Sequence, residues 1–292
     1  MQANRILTDE TYKEIQVHGT ADYPIRRYFE DIYLFDFHCI EWHWHPELEL
    51  IYVLEGEFTA EIGSTRMTVR AGEALLINTN VIHRLEAADH AVIPNAVFLP
   101  KLMAAEDSLI YKKYILPVLE SDMEYLHLTD RVPWEREAIG RIVKLIRGTD
   151  EEDEIGTVYR MLGIWKMICE NRKGGAPKEK NTRKTLARTQ LQIMMSYIQN
   201  NYFRQITLDD IAGTVSLSKS GALNIFHEYL HISPVSYLIQ YRLKMAADML
   251  RSTGAHIDAI AYDTGFHNVG YFCRKFKSVY SMTPSEYRSR QD

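Results

Sequence analysis

IAYDTGFHNVGYFCRKFKSVYSMTPSEYR (Ile260–Arg288) decides how the second half of this chain folds. It opens on apolar Ile260 and Ala261 and breaks at Gly265, a residue suited to a left-handed backbone. It resumes with Phe272 and Phe276, four residues apart and so on one face of a helix. Asn268 stands just before that run and is a favoured helix N-cap. Thr283-Pro284 then begins another helix, because proline at the first turn sacrifices no hydrogen bond. The stretch reads as helix, tight turn, helix.

The same grammar occurs earlier in ITLDDIAGTVSLSKSGALNIFHEYLHISPVSYL (Ile206–Leu238). Ile211 and Ala212 anchor a short helix, Val215 to Ser218 make the turn, and Phe226 and Tyr229 anchor a second helix. Thr207 and Ser218 are the expected N-caps. Two helix-turn-helix units follow, in which the second helix of each pair suits a DNA major groove. With Ile225 and Phe226 inward, Ser220, Leu223, Asn224 and His227 form the outward stripe. With Phe272 and Phe276 inward, Gly270, Tyr271 and Arg274 face out. Asn224 can pair with adenine, Leu223 can touch a thymine methyl, and Arg274 can read guanine. Lys219, Lys275 and Lys277 are expected on phosphates, with Ser218 and Asn268 at the helix starts beside them. For each residue alone, a solvated helix surface is the competing reading.

Charge supports the division. Residues 183–292 carry 13 Lys+Arg against 8 Asp+Glu, whereas residues 1–182 carry 21 against 31. A basic half suggests a polyanion partner. The 292 residues exceed the usual single domain, and 46% hydrophobic with 25% charged residues is ordinary for a globular protein. No apolar run reaches the roughly 18–20 residues of a membrane span. The start MQANRILTDE lacks a signal-peptide pattern, and three separated cysteines argue for a reducing cytoplasm rather than a disulfide framework.

From about 20 to 100, short runs such as FTAEIG, RMTVRAG and EALLIN, with Gly56, Gly63 and Gly72 between them, read as strands of a barrel or sandwich. Segments 104–126 and 134–170 read as helices, in which Ile139, Ile142, Val143 and Ile146 fall at helical spacing. The acidic run Asp150–Glu154 is expected to cap or link two helices, and RKGGAPKEKNTRKT (172–185) reads as the linker. Within the strand region, EWHWHPELELIYVLEGE (Glu41–Glu57) places His43, His45 and Glu49 at even spacings, hence on one sheet face. Such a trio can hold a metal, line an organic-ligand pocket, or fill a polar core. Trp42, Trp44, Tyr52 and Phe58 add aromatic surface of the kind that holds a sugar ring, and Glu47 is expected to be solvated.

Residues 190–290 resemble the AraC/XylS family of bacterial transcription regulators, through the G-F, Y-F, R-x-F-K, T-P and Y-R positions of the stretch quoted first. The resemblance implies a long helix joining the two units, here about Pro234 to Ser252, and an N-terminal cupin-like barrel that binds effector. His43-x-His45-x3-Glu49-x6-Gly56 is similar to the first cupin motif. Gly72-x5-Asn78-x-Asn80-x2-His83 is similar to the second, with Asn78 and Asn80 replacing its proline and glycine. His83 therefore joins the trio, a set suited to Zn, Ni, Mn or Fe. Leu223 and Gly270 depart from the polar residue and the serine common at their positions.

The expected fold class is α+β with two domains. Residues 1–171 form the cupin-like β-barrel with accessory dimerisation helices, 172–185 the linker, and 186–292 an all-α double helix-turn-helix domain. The expected function is a cytoplasmic, non-enzymatic transcription activator that responds to a small-molecule effector, a carbohydrate by family resemblance. Its expected partners are promoter DNA, a second copy of itself and RNA polymerase, with no membrane. A metal-dependent cupin enzyme and a ligand-independent dimeric DNA-binding protein are the alternatives.

Overall fold

The computed structural model describes residues 6–9, 12–63, 65–148, 153–171 and 182–289. The chain divides into two compact units, residues 1–185 and 186–292. The strands of the first unit are β1 (Ile25–Asp31), β2 (Cys39–His43), β3 (Leu48–Tyr52), β4 (Glu57–Ile62), β5 (Thr65–Arg70), β6 (Ala74–Ile77), β7 (His83–Glu86), β8 (Val92–Phe98) and β9 (Tyr125–Leu128). They build two antiparallel sheets, ordered β1-β8-β3-β6-β9 and β2-β7-β4-β5. Period-two alternation makes the core between the sheets. Phe58, Ala60 and Ile62 of β4 meet Ile51 of β3, Leu75 and Ile77 of β6, and Leu85 of β7. Each large apolar side chain buried there contributes about 1.5–3 kcal/mol. The turn into β4 needs Gly56, at φ +75°, because a Cβ there would stand 2.1 Å from the His90 carbonyl oxygen.

Residues 104–126 depart from the helix expected there. Only Tyr111–Ile115, wound as a π turn, and α1 (Leu116–Leu119) are helical within it, apart from the start of that turn, and Tyr125–Leu128 instead joins the larger sheet as β9 beside β6. YLHL alternates at period two, and pairing it satisfies the backbone of β6, which would otherwise be an open edge. Asn78 ties α1 to the sheet by donating from Nδ2 to the carbonyls of Val118, Leu119 and Met123. The outer face of the sheet, including Leu48, Leu50, Leu76 and Phe98, is covered by α2 (Pro133–Ile146) and α3 (Glu154–Asn171). Ile139, Ile142 and Ile146 are the buried stripe of α2. Residues 150–152 of the expected acidic connector lie outside the described residues, while Asp153 Oδ1 accepts the Gly156 amide at 2.8 Å. Residues 172–181 of the expected linker also lie outside them, and its last four residues already belong to a helix.

That helix is α4 (Thr182–Asn201). It precedes α5 (Leu208–Gly213), α6 (Lys219–Leu230), α7 (Pro234–Ser252), α8 (Ile257–Asp263), α9 (Val269–Tyr280) and α10 (Pro284–Ser289). The internal echo is structural: α6 and α9 begin and end 50 residues apart. Each is followed by a left-handed residue, His231 at φ 54° and Ser281 at φ 56°, before its Ser-Pro or Thr-Pro. The caps form as their residue types require. Thr207 makes a capping box with Asp210, Ser218 Oγ accepts the Gly221 amide, and Asn268 Oδ1 accepts that of Tyr271. Leu243, Ala246, Ala247 and Leu250 of α7 pack with Ile260, Phe266, Phe272 and Phe276 of the second unit pair. Among the described residues no helix is long and apolar enough to cross a membrane.

Candidate ligand site and candidate nucleic-acid interface

His43 ends β2, His45 stands two residues beyond, Glu49 lies in β3 and His83 opens β7, so the cluster draws on both sheets. One donor atom from each lies within 4.8 Å of the others, and all four residues are buried. A register shift between Ile40 and His43 turns both toward one cavity despite their odd spacing, as a β-bulge does. His43 then faces His83 across the β2–β7 pair, with ring centroids 4.1 Å apart.

Each imidazole is aimed through its Nδ1, which meets a backbone carbonyl: Glu41 at 2.8 Å for His43, Glu47 at 3.2 Å for His45, and Val81 at 2.9 Å for His83. A carbonyl only accepts, so Nδ1 donates, and a neutral ring keeps its lone pair on Nε2. His83 Nε2 and His45 Nε2 stand 3.3 and 3.5 Å from Glu49 Oε2. Both His83 Nε2 and that carboxylate oxygen are buried without a hydrogen-bond partner among the described residues. Burial favours the neutral acid of Glu49, yet the facing imidazoles of His45 and His83 outweigh it and hold the carboxyl far below its ordinary range. Burial likewise opposes a charge on His45, but Glu49, Glu14 and Glu47 raise its pKa nevertheless. Burial pushes His43 well below the ordinary histidine value, helped by the neighbouring His83 and His45. A buried carboxylate beside lone pairs is a site that a cation completes. The donor set fits a divalent transition metal: three imidazoles oriented by outer hydrogen bonds and one carboxylate suit Zn, Ni, Mn or Fe.

A cavity of about 40 Å³ adjoins the cluster. Its wall includes Glu14, His18, Tyr28, Glu30 and Asn95, none of which sequence reasoning singled out. They come from the segment ahead of the barrel, from β1 and from β8, and only Asn95, polar within VIPNAVF, is conspicuous locally. Tyr28 Oη lies 2.7 Å from His18 Nδ1, and Asn95 Nδ2 donates to Glu30 at 2.9 Å. Burial pushes Glu30 up to about 7, with the Glu49 charge adding to it and the Asn95 hydrogen bond opposing it.

Three expected aromatic contacts are corrected. Tyr52 is an odd three residues from Glu49 and so faces away from the cluster, against the helical layer beside Ile139 and Val143. Trp42 is buried and Trp44 half-buried beneath Lys13, 5.9 Å from its ring, but neither lines the cavity. Glu47 is also corrected. It lies in the bend between β2 and β3, is 8% exposed, and places its carboxylate 3.7 Å from His45 Nδ1. Asn80, where the cupin motif has glycine, takes φ +57°, a conformation asparagine tolerates.

In the second unit, Ser218, Lys219, Ser220, Leu223, Asn224 and His227 are exposed along α6, opposite Phe226. Asn268, Gly270, Arg274, Lys275 and Lys277 are exposed on α9, opposite Phe272 and Phe276. Tyr271 differs from the outward placement expected. It is half-buried against Phe266, ring centroids 6.2 Å apart, with Lys275 Nζ 5.8 Å from its ring. Lys219 pairs with Asp209 at 2.7 Å across the first turn.

The family described as Helix-turn-helix domain matches residues 211–290, and Cupin domain matches residues 39–93. The chain is 26% identical over 292 residues to the uncharacterized HTH-type transcriptional regulator YdeC of Bacillus subtilis strain 168, covering 96% of this chain and 97% of that one. It is 22% identical over 260 residues to the melibiose operon regulatory protein of Escherichia coli strain K12, covering 84% and 82%. A solved transcriptional regulator from Chromobacterium violaceum with an AraC-type DNA-binding domain is 27% identical, covering 36% of this chain and 93% of that one, with a TM-score of 0.35. The chain thus carries a cupin domain followed by a helix-turn-helix domain and is similar along nearly its whole length to an HTH-type transcriptional regulator.

Proposed function

We propose that the chain is a ligand-responsive transcription activator. The barrel receives a small ligand at His43, His45, Glu49 and His83, and occupancy sets how the two helix-turn-helix units engage promoter DNA. The observation that supports this most is the repeated unit itself, whose polar stripes on α6 and α9 are left free by the packing of Phe226, Phe272 and Phe276. Asn224 and Arg274 read bases, and Lys275 and Lys277 hold phosphates. A bound divalent metal would supply a Lewis-acidic centre at the cluster, while the Glu41, Glu47 and Val81 carbonyls keep the three imidazoles aimed. Two copies acting as a homodimer in the cytoplasm would occupy paired sites, raising effective affinity without new contacts, and would recruit RNA polymerase. The receptor reading is preferred to the cupin-enzyme reading because a catalyst has no use for two groove-reading units. Duplex binding by the full chain, measured against salt, tests the proposal. Affinity should fall steeply as salt rises. Metal-dependent turnover that is lost in His45→Ala, with no specific duplex binding, would establish the enzyme instead.

A further inference from the structure

We infer that the regulatory ligand is a divalent transition-metal ion itself, so that the barrel is a metal receptor rather than a sugar receptor. This rests on the regulator reading above and specifies what that regulator senses. Size comes first. The cavity beside the cluster measures about 40 Å³. Organic-ligand pockets run to roughly 300–1,000 Å³. An ion with a water or two fits, and a hexose does not.

Chemistry points the same way. A sugar needs a flat apolar face, and Trp42, Trp44 and Tyr52 are all absent from this wall, which leaves Tyr28, its hydroxyl engaged by His18, as the aromatic residue there. An anionic effector would meet Glu14, Glu30 and Glu49 together. A cation is drawn by the Glu49 carboxylate and finds Glu49 Oε2 and His83 Nε2 buried with no hydrogen-bond partner among the described residues. The three imidazoles are already turned by their Nδ1 hydrogen bonds, so little reorganisation accompanies binding.

Position supplies the regulatory consequence. β2 and β7 belong to one sheet and β3 to the other, so an ion held by His43, His83 and Glu49 clamps the sheets together. The segment ahead of β1 is attached at the same place. The Trp44 amide donates to the Tyr12 carbonyl, and the Glu14 amide donates to the Trp44 carbonyl, one residue before His45. Metal binding thus stabilises one arrangement of the barrel mouth, which is the differential affinity a switch requires.

The test uses the full chain, stripped with a chelator, and a duplex enriched by that chain from random sequence in two buffers, with chelator and with added metal. Zn²⁺, Ni²⁺, Mn²⁺ and anaerobic Fe²⁺ are titrated by calorimetry, and duplex affinity is measured in each. One of these ions is expected to bind with 1:1 stoichiometry and to shift duplex affinity by about 5- to 150-fold. His83→Ala and Glu49→Ala should lose both effects. Should either fail to fold by circular dichroism, the closer replacements H83Q and E49Q repeat the test. Stoichiometric metal binding with unchanged duplex affinity overturns the proposal while leaving a resident metal in place. No metal binding, or a shift in duplex affinity produced by a monosaccharide in chelator, also overturns it. Failure to enrich any duplex in either buffer sinks the regulator reading, and this inference with it.

Discussion

Gly265→Ala should destabilise the DNA-binding unit selectively. Gly265 has φ +82°, where an L side chain is strained by about 1–2 kcal/mol. An added Cβ would lie 2.4 Å from the Tyr202 carbonyl oxygen and 2.8 Å from Arg242 Nε. Those two atoms form a 2.7 Å hydrogen bond, which pins the segment after α4 to α7 beside the turn of the second helix-turn-helix. Losing that charge-assisted bond costs about 1.5–3 kcal/mol. The reduced freedom of the unfolded chain returns roughly 0.4–1 kcal/mol. The net destabilisation is therefore about 2–4 kcal/mol, or on the order of 10 °C or more in Tm for a unit of this size. All four tryptophans, Trp42, Trp44, Trp134 and Trp165, lie in the first unit, so their fluorescence follows the barrel alone. Far-UV circular dichroism follows mainly the helical second unit. The dichroism transition should fall while the fluorescence transition holds. A loss below about 1 kcal/mol would falsify the claim that this turn requires glycine.

Arg274→Ala should weaken binding to an enriched duplex by roughly 1–3 kcal/mol and relax preference at one base position, as competition with single-base variants would reveal. Lys277→Ala should instead weaken binding evenly across sequences and lower the salt slope by about 1, and an unchanged slope would remove it from the phosphate contacts. Thr207→Ala removes one half of the capping box with Asp210 and should cost about 1 kcal/mol in the dichroism transition. Glu30 supplies a pH signature. Its folded pKa of about 7 exceeds its ordinary 4.5, so the stability of the neutral acid is complete below about 4.5 and lost as pH rises through 7. Relative to Glu30→Gln in chelator, the fluorescence-detected stability of the barrel should decline across that window, and parallel curves would remove Glu30 from the account.

Much of this protein is written locally. The paired helix-turn-helix units rest on caps, turns and aromatic anchors that act within a dozen residues, so Thr207, Ser218, Asn268 and the limits Pro234–Ser252 of α7 agree with their reading in the sequence. The even spacing of His43, His45 and Glu49 does not put them on one sheet face as expected, because β2 and β3 belong to different sheets and His45 lies between them. Tyr52 was legible, since its odd spacing from Glu49 already put it on the other face. What the chain could not announce are consequences of which strands become neighbours. The conversion of Tyr125–Leu128 into β9 depends on the open edge of β6. The bulge that turns His43 inward depends on pairing with β7, and the cavity wall of Glu14, His18, Glu30 and Asn95 depends on segments that meet only after both sheets close. Local signals specify helices and faces because their interactions are short in sequence, whereas a cavity is defined by residues whose only relation is proximity in the folded state.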